Sequence, residues 1–273
     1  MTKHSLTLTT TTRDSSKTIL DGGGSKQILE FNCTGSGETR FDGFTIQNAS
    51  HDNNIGALEI GSNNQKITIA NCIIKNNKAQ DSSSNYYNGA GIYISESAND
   101  VTVENCVFNN NTGSNIIYIA ETTGSRTIKQ CTFKNNTGTA ITSYKSNFHL
   151  SDSTFTGNQG LSAGALDLHQ LASDSYVKHC TFIGNKCTDN DNDNAANIKY
   201  EGNSSLTNIY NCILDNGTNT QVTGATQANG NLTGITSLTS STANSPSCNV
   251  PHTIFAIDNF SQAIGLGKKD YMT

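Results

Sequence analysis

The hexapeptide Cys106-Val107-Phe108-Asn109-Asn110-Asn111 is followed 25 residues later by Cys131-Thr132-Phe133-Lys134-Asn135-Asn136, and this pattern decides the fold. Each copy has Cys or Ser first, a bulky apolar residue two positions later and, in most copies, Asn five positions later. Further copies begin at Cys72, Ser153, Cys180 and Cys212. A self-similar unit that returns every 22 to 34 residues indicates a solenoid, in which each repeat stacks on its neighbours.

Every repeat contains three short segments in which apolar and polar residues alternate, which is a strand signature. An apolar residue stands three positions before each Cys or Ser, as Val103 and Ile128 show. The third segment follows a loop of variable length, as in Gly164-Ala165-Leu166-Asp167-Leu168. Apolar residues at helical spacing are missing, and the abundant Asn, Gly and Thr are poor helix formers. The sequence therefore predicts an all-β protein, a right-handed single-stranded parallel β-helix with three short strands per coil and roughly eight to ten coils.

Stacking in register places equivalent residues of successive coils about 4.8 Å apart. We therefore expect an inward ladder of Cys and Ser, an inward ladder of Ile, Phe and Leu beside it, and an Asn ladder with amide bonds from coil to coil. In-register thiols point the same way, so we expect them to stay reduced, whereas bridges among Cys33, Cys187 and Cys248 stay open. We expect one domain over 1–273, with regular coils over about 5–217 and a degenerate coil with a C-terminal cap over about 218–273.

The composition argues against two classes of partner. The net charge is −5 with 14% charged residues and no basic block, so nucleic acid is not an expected partner. No run of about 18 apolar residues occurs, so no membrane insertion is expected in this segment. The first residues do not form a signal peptide, and we expect the chain to be a piece of a longer protein.

Two motifs resemble those of known families. Phe155-Thr156-Gly157-Asn158 followed by Ala163-Gly164-Ala165-Leu166 resembles the repeat of polymorphic outer-membrane proteins, which are β-helical surface adhesins. Thr18-Ile19-Leu20-Asp21-Gly22 followed by Phe41-Asp42-Gly43-Phe44 is similar to the opening coils of extracellular β-helix proteins of the pectin-lyase-like superfold. Phe260-Ser261-Gln262-Ala263-Ile264-Gly265-Leu266-Gly267 is faintly similar to the closing motif of their cell-wall-anchored members. The resemblance implies an extracellular or cell-surface location and is weak for activity.

The enzymes of that superfold have motifs that this chain lacks. Polygalacturonase-like enzymes carry Asn-Thr-Asp, Asp-Asp and Gly-His-Gly, none of which occurs in the chain. Pectate lyases carry an Arg-centred motif, and neither Arg13, Arg40 nor Arg126 is flanked as that motif requires. Catalytic residues are therefore not assigned.

One outward column of side chains is predicted on the third strand of the coils: Glu59, Tyr93, Tyr118, Thr142, Asp167 and Lys199. Glu59 and Asp167 would lie four coils apart, about 19 Å. That separation is too great for the paired carboxylates of a glycosidase, which need about 5–9.5 Å. His149 and Lys178 are expected on another face without an obvious carboxylate companion.

Tyr93 and Tyr118 are candidate ligand-binding residues, because neighbouring exposed rings offer flat apolar faces to a sugar or a protein. Tyr86 and Tyr87 lie in the long loop that leads to the same face, and loops on a rigid scaffold often carry binding sites. The alternative is that surface Tyr simply suits a β-strand.

Asp189-Asn190-Asp191-Asn192-Asp193-Asn194 is similar to the start of a calcium loop, with oxygen ligands at alternate positions. Asp189, Asp191 and Asp193 are the candidate ligands. Position twelve is Tyr200 and position six is not Gly, so a solvated acidic loop is the alternative. Calcium is the single cofactor considered.

These observations favour a non-enzymatic adhesion or structural module, extracellular or on a cell surface, that binds a glycan or a host or neighbouring surface protein through a lateral face. Two alternatives stay open. One is a carbohydrate-active enzyme of the pectin-lyase-like fold, either a polysaccharide lyase or a glycoside hydrolase. The other is a filament or spacer subunit with end-to-end self-association.

Overall fold

Three sheets of short strands wind along the chain in the order A, B, C, once per coil. The computed structural model describes residues 5–12, 14–33, 36–51, 55–61, 66–79, 88–122, 124–189, 195–202, 208–215, 222–223, 232–233, 238–242 and 253–257. Every strand in the three sheets pairs in parallel with its counterparts in adjacent coils. This is the predicted right-handed parallel β-helix with three strands per coil, and eight strands of sheet A and nine of sheet B agree with the predicted number of coils.

The strands have the following bounds. Sheet A contains Leu6–Thr9, Glu38–Asp42, Lys66–Ala70, Val101–Glu104, Ser125–Lys129, Asn147–Ser151, Tyr176–Lys178 and Ile209–Tyr210. Sheet B contains Ile19–Asp21, Thr45–Gln47, Ile73–Lys75, Val107–Asn109, Thr132–Lys134, Thr154–Thr156, Thr181–Ile183, Ile213–Asp215 and Leu232–Thr233. Sheet C contains Leu29–Phe31, Leu58–Ile60, Ile92–Ile94, Thr112–Ile119, Thr137–Tyr144, Leu166–His169, Ile198–Glu201 and Val222–Thr223, with the short strands Ser50–His51, Lys78–Ala79, Gln159–Gly160 and Lys186–Cys187 beside them.

The core is a set of in-register apolar columns inside the coils. In sheet B the rings of Phe108, Phe133, Phe155 and Phe182 are fully buried and stack at centroid distances of 4.6, 4.8 and 4.8 Å. These distances equal the rise between coils, so each ring contacts both neighbours along the axis. Offset-stacked rings gain about 0.5–1.5 kcal/mol per pair beyond their burial. The predicted Phe ladder is confirmed.

The neighbouring column contains Cys72, Cys106, Cys131, Ser153, Cys180 and Cys212, because the corner from sheet A to sheet B needs a small donor. The residue before each one has a left-handed backbone, as Gln130 (φ 54°) and Asp152 (φ 51°) show. Cys131 Sγ donates to the carbonyl of Lys129 at 3.2 Å, and Ser153 Oγ donates to that of Ser151 at 2.7 Å. Burial raises the pKa of the Cys106 and Cys180 thiols in this column, which keeps these two protonated donors. The cysteines of the described residues are free thiols.

Replacement of Cys131 should therefore affect the free energy of unfolding little when the new side chain is a small donor and strongly when it is a large apolar one. Cys131→Ser keeps a donor for the Lys129 carbonyl and should change the free energy of unfolding by no more than about 1 kcal/mol. Cys131→Leu adds volume to a close-packed column and should destabilise the protein by about 1–3 kcal/mol. Urea denaturation followed by circular dichroism measures both. Equal destabilisation by the two variants would contradict the donor role.

The Asn column at the next corner is confirmed as a continuous hydrogen-bonded ladder. The side-chain amide of Asn111 donates to Asn136 Oδ1 at 3.1 Å, and Asn136 donates to Asn158 Oδ1 at 2.8 Å. Each amide also bonds backbone groups, since Asn136 Nδ2 donates to the Phe108 carbonyl at 3.1 Å and its Oδ1 accepts from the Asn111 N–H at 2.9 Å. The ladder extends from Asn77 through Asn111, Asn136, Asn158 and Asn185 to Asn197. It satisfies backbone groups that the turn leaves without strand partners.

Arg126 lies inside the solenoid, in an inward column between Val101 and Phe148. Its guanidinium donates to three carbonyls at the entry to sheet A: Nη2 to Ala98 at 2.9 Å, and Nη1 to Ser125 at 3.1 Å and to Asn99. Desolvation lowers the pKa of Arg126 to about 10, while the charge of Asp100 opposes that shift. Arg126 therefore closes a corner and does not face a ligand.

The predicted C-terminal cap lies mostly outside the described residues. Leu238–Thr242 and Thr253–Ile257 are described, and they pair as an antiparallel hairpin rather than as a parallel coil. In the described part the last parallel rungs are Val222–Thr223 in sheet C and Leu232–Thr233 in sheet B.

Candidate functional site: the outward face of sheet C

Strand register places the predicted outward column of sheet C in successive coils. Tyr93 pairs with both Glu59 and Tyr118, and Thr142 connects Tyr118 to Asp167. Lys199 follows Asp167 in the next coil. Glu59 and Asp167 are thus four coils apart, and the prediction that this pair cannot form a glycosidase dyad is confirmed.

The two tyrosines are neighbours, as predicted, but their ring faces are not open. The rings of Tyr93 and Tyr118 stack with centroids 5.6 Å apart and planes 18° apart. Tyr118 is only 5% exposed and Tyr93 is half-buried, so the expectation that both are exposed is wrong for Tyr118. Because in-register residues of adjacent coils stack on each other, one face of each ring is used within the protein. Burial, with the charges of Glu59 and Glu96, raises the pKa of the Tyr93 hydroxyl, which therefore stays protonated.

Several predicted site residues lie outside the described residues. Tyr86 and Tyr87 are among them, and so are Asp191 and Asp193. Asp189 is described and exposed. Within the described ranges, no three His, Cys, Asp or Glu side chains form a group able to hold a metal ion. The calcium site therefore stays a prediction.

Four charged side chains of two adjacent coils meet at the C-terminal part of the column. His169 Nε2 is 3.0 Å from Asp167 Oδ1, and His169 Nδ1 is 3.3 Å from Glu201 Oε2. Lys199 Nζ is 2.7 Å from Glu201 Oε1. The Asp167 and Lys199 side chains are each only 13% exposed. We call these four residues the sheet C cluster.

The cluster changes the titration of its own members. Burial lowers the pKa of His169, but contact with Asp167 and the charges of Asp167 and Glu201 outweigh it, so the pKa is raised above its usual 6.5. The hydrogen bond and charge of Lys199, with His169, lower the pKa of Glu201 against its partial burial. With His169 and Lys199 carrying their protons, the two cations balance the two carboxylates and the cluster is electrically neutral.

Sequence reasoning placed Asp167 and Lys199 on this face but missed His169 and Glu201. The signal is present in the sequence. The alternation continues one residue beyond the repeated pattern, to His169 and Glu201, in Leu166-Asp167-Leu168-His169 and Ile198-Lys199-Tyr200-Glu201. The register pairs His169 directly with Glu201.

The geometry argues against a glycosidase or a proton-abstracting base at this cluster. The imidazole lies between the carboxylates of Asp167 and Glu201, which is the space that a sugar and a water molecule would need. Both ring nitrogens contact carboxylates and the pKa of His169 is raised, so the imidazole holds its protons. The groups suit hydrogen bonding to a ligand better than proton transfer.

Other polar groups border the cluster. The Tyr144 ring is 5.5 Å from the imidazole of His169, and Lys145 Nζ is 3.0 Å from Glu121 Oε2. On the other side, Cys187 Sγ donates to the carbonyls of Leu161 at 2.8 Å and Asp189 at 2.9 Å. Burial raises the pKa of the Cys187 thiol, and the charges of Asp189, Lys199 and Asp167 also affect it.

The outward face of sheet A is the main alternative location. His149 Nε2 is 4.0 Å from Asp174 Oδ2, and its ring stacks on Tyr176 at 4.7 Å. The expectation that His149 has no carboxylate near it is therefore wrong, because Asp174 comes from the neighbouring corner rather than from a strand. Lys178 Nζ lies over the Tyr176 ring at 4.9 Å.

Charges on the rest of that face pair with each other. Glu104 binds Arg40 at 2.9 Å and Lys129 at 3.1 Å, and Arg40 also binds Asp42 at 3.0 Å. Partial burial raises the pKa of Glu104, but these two cations outweigh it, so the pKa is lowered. The side chains form a continuous ionic network along sheet A.

A shallow cleft of about 470 Å³ lies at the corner between sheets B and C near the first coils. Gly23, Gly24, Asn48 and Lys78 are among its lining residues. Lys78 is three coils from Gln159, which belongs to the coil of Asp167, so the cleft is separate from the sheet C cluster.

Comparison with known proteins agrees with this architecture. A family model described as "Right handed beta helix region" matches residues 32–182, more than half of the chain. No curated protein and no solved structure shows significant similarity to the chain. Across the described ranges, no helix combines the length and apolar character needed to cross a membrane. The matched residues contain the six central coils and most of their ladders, and the chain belongs to the right-handed β-helix family.

Proposed function

We propose that the protein is an extracellular or cell-surface adhesion module that binds a glycan through the outward face of sheet C without chemically changing it. The observation that carries the proposal is the sheet C cluster, with Tyr93 and Thr142 on the same face. Asp167, His169 and Lys199 are largely shielded from solvent yet polar, with Glu201 at the exposed edge. Most strand side chains of a solenoid that point outward have no reason to be desolvated.

The chemistry of this face suits a neutral, hydroxyl-bearing ligand. Within the neutral sheet C cluster Lys199 is a donor and Asp167 and Glu201 are acceptors, and the Tyr93 hydroxyl is a further donor three to four coils away on the same face. A hydroxyl both donates and accepts, so a sugar can bond both kinds of group without bringing a charge into a desolvated site. The scarcity of charged residues and the repeat similar to that of surface adhesins support the proposed location.

One observation favours a second function, an enzyme of the carbohydrate-active class. Asp167 and Glu201 are two carboxylates of adjacent coils on either side of a histidine whose pKa is shifted. Turnover would require His169 to leave its position between them.

The proposal is tested with a panel of neutral and acidic oligosaccharides and polysaccharides, scored for binding by calorimetry and for product release. Lys199→Ala removes a charged donor and is expected to weaken binding of a neutral sugar about tenfold or more. Lys178→Ala is the matched control, because Lys178 is also an outward strand lysine beside a Tyr but on sheet A. Its expected affinity equals that of the wild type.

The results of this panel distinguish the proposed function from its alternatives. Binding without product release, weakened by Lys199→Ala alone, supports the proposal. Product release from any substrate overturns it in favour of the enzyme. The sheet C glycan site is overturned if both lysine variants lose the same affinity for the sugar. It is also overturned if the protein binds a surface protein but none of the sugars.

A further inference from the structure

His169 connects two coils through the sheet C cluster. It contacts Asp167 on its own strand, Leu166–His169, and Glu201 on the strand of the next coil, Ile198–Glu201. Lys199 holds Glu201 from the other side at 2.7 Å. The imidazole is therefore the central member: Asp167 contacts it directly, and Glu201 is shared between it and Lys199.

The groups that face this imidazole come from every element around it. Asp167 is on its own strand, Lys199 and Glu201 are on the following one, and Tyr144 is on the preceding one. Lys145 is next to Tyr144 and pairs with Glu121. The thiol of Cys187 lies within reach of the charges of Asp189, Lys199 and Asp167. Among the titratable groups of this region, His169 is the one whose usual pKa lies closest to neutrality.

We infer that His169 is a positioning residue that makes ligand recognition on the sheet C face pH-dependent: its imidazolium form holds Asp167 and Glu201 together, and loss of the proton releases Asp167 and leaves Glu201 to Lys199 alone. The inference rests on the proposed function of that face. Without the cation between them, the two carboxylates repel each other and the cluster acquires a net negative charge. The acceptors then move from the arrangement that a neutral sugar would bind.

The direction follows from the pKa shifts. The pKa of His169 is raised in the folded protein, so its contribution is complete below about pH 6.5 and is lost as the pH rises through the folded value. The pKa of Glu201 is lowered, so its contribution is present above about pH 4.5 and is lost as the pH falls through its folded value. Binding and local stability should therefore be greatest in mildly acidic solution.

The first test needs no ligand. Proton NMR titration of the wild type gives the pKa of His169, and hydrogen exchange gives the opening of strand Ile198–Glu201 from about pH 5.5 to about pH 8.5. We expect a pKa above 6.5 and increased opening at the higher pH after correction for intrinsic exchange. In His169→Gln the pH dependence of this opening should disappear, whereas His149→Gln, on sheet A, should retain it. A pKa at or below 6.5, or pH-independent opening in the wild type, overturns the inference.

The second test uses the neutral oligosaccharide with the strongest binding in the panel. Wild-type affinity should fall about tenfold between about pH 5.5 and about pH 8.5, within the usual range of coupling between sites. His169→Gln should bind with nearly the same affinity at both pH values, and Glu201→Gln should also lose most of the dependence. If sugar binds equally at both pH values, the inference fails while the proposed function stands. If no sugar binds at either pH, the proposed function fails, and the coupling of recognition to His169 fails with it.

Discussion

Asn136→Ala is expected to lower the free energy of unfolding by about 4 kcal/mol, one of the two largest effects that the structure predicts. The amide of Asn136 bonds the backbone of Asn111 and Phe108 and the side chains of Asn111 and Asn158. All of these groups are buried, and each one left without a partner costs about 1–3 kcal/mol. Partial relaxation of the turn reduces the sum.

The adjacent Asn135 provides a matched control for this measurement. Asn135 is exposed and has a left-handed backbone with φ 53°, and Gly157 occupies the equivalent position in the next coil. Asn135→Gly should therefore change the stability by less than about 1 kcal/mol, since glycine adopts this conformation without strain. Urea denaturation of both variants measures the difference. Similar stability of Asn136→Ala and Asn135→Gly would show that the ladder amides are not needed.

Phe133→Ala is expected to destabilise the protein by about 3–5 kcal/mol, the usual result of truncating a fully buried ring. Phe133 stacks on Phe108 at 4.6 Å and on Phe155 at 4.8 Å, so its removal opens a cavity between two coils. The surrounding backbone cannot close that cavity easily, because parallel strands on both sides fix the spacing of the coils.

Phe133→Leu is the control for the ring itself. Leu214 and Ile74 occupy the same column in other coils, so an aliphatic residue fits the position. The expected loss is about 1–2 kcal/mol, smaller than that of Phe133→Ala because most of the volume remains. Thermal and urea denaturation would both report it. If the Ala variant were no less stable than the Leu variant, the column would not be packed as described.

The sequence was sufficient to predict the parallel β-helix, the Phe, Cys and Asn ladders and the outward column of sheet C. This succeeded because parallel in-register stacking brings equivalent residues of every repeat together. Once Cys106 and Cys131 were aligned, Tyr93 and Tyr118 had to be neighbours.

The chemistry of the site was less accessible. His169 and Glu201 lie one alternation beyond the aligned segment, so the repeat template did not include them. The exposure of Tyr118 was wrongly predicted because strand alternation indicates only which side a residue faces. Its burial depends on what covers that side. Asp174 was missed beside His149 because it comes from a corner, where variable spacing removes the periodic signal.

Stability and recognition use different parts of this molecule. Inward ladders and the Asn column hold the coils together, and the same contacts repeat from coil to coil. The sheet C cluster occurs once among the described coils and joins two adjacent ones. A non-repeating group of partly buried charges on a repeating scaffold is the feature that the proposed recognition of a glycan explains.

Chemical-shift mapping of the labelled protein with the best neutral oligosaccharide of the panel tests this account most directly. We expect the perturbed amides and the imidazole signals to belong to the strands Leu166–His169 and Ile198–Glu201 and to the coils of Tyr93 and Thr142. Perturbations confined to the ionic network of sheet A, to sheet B or to the cleft at Gly23 and Lys78 would contradict it.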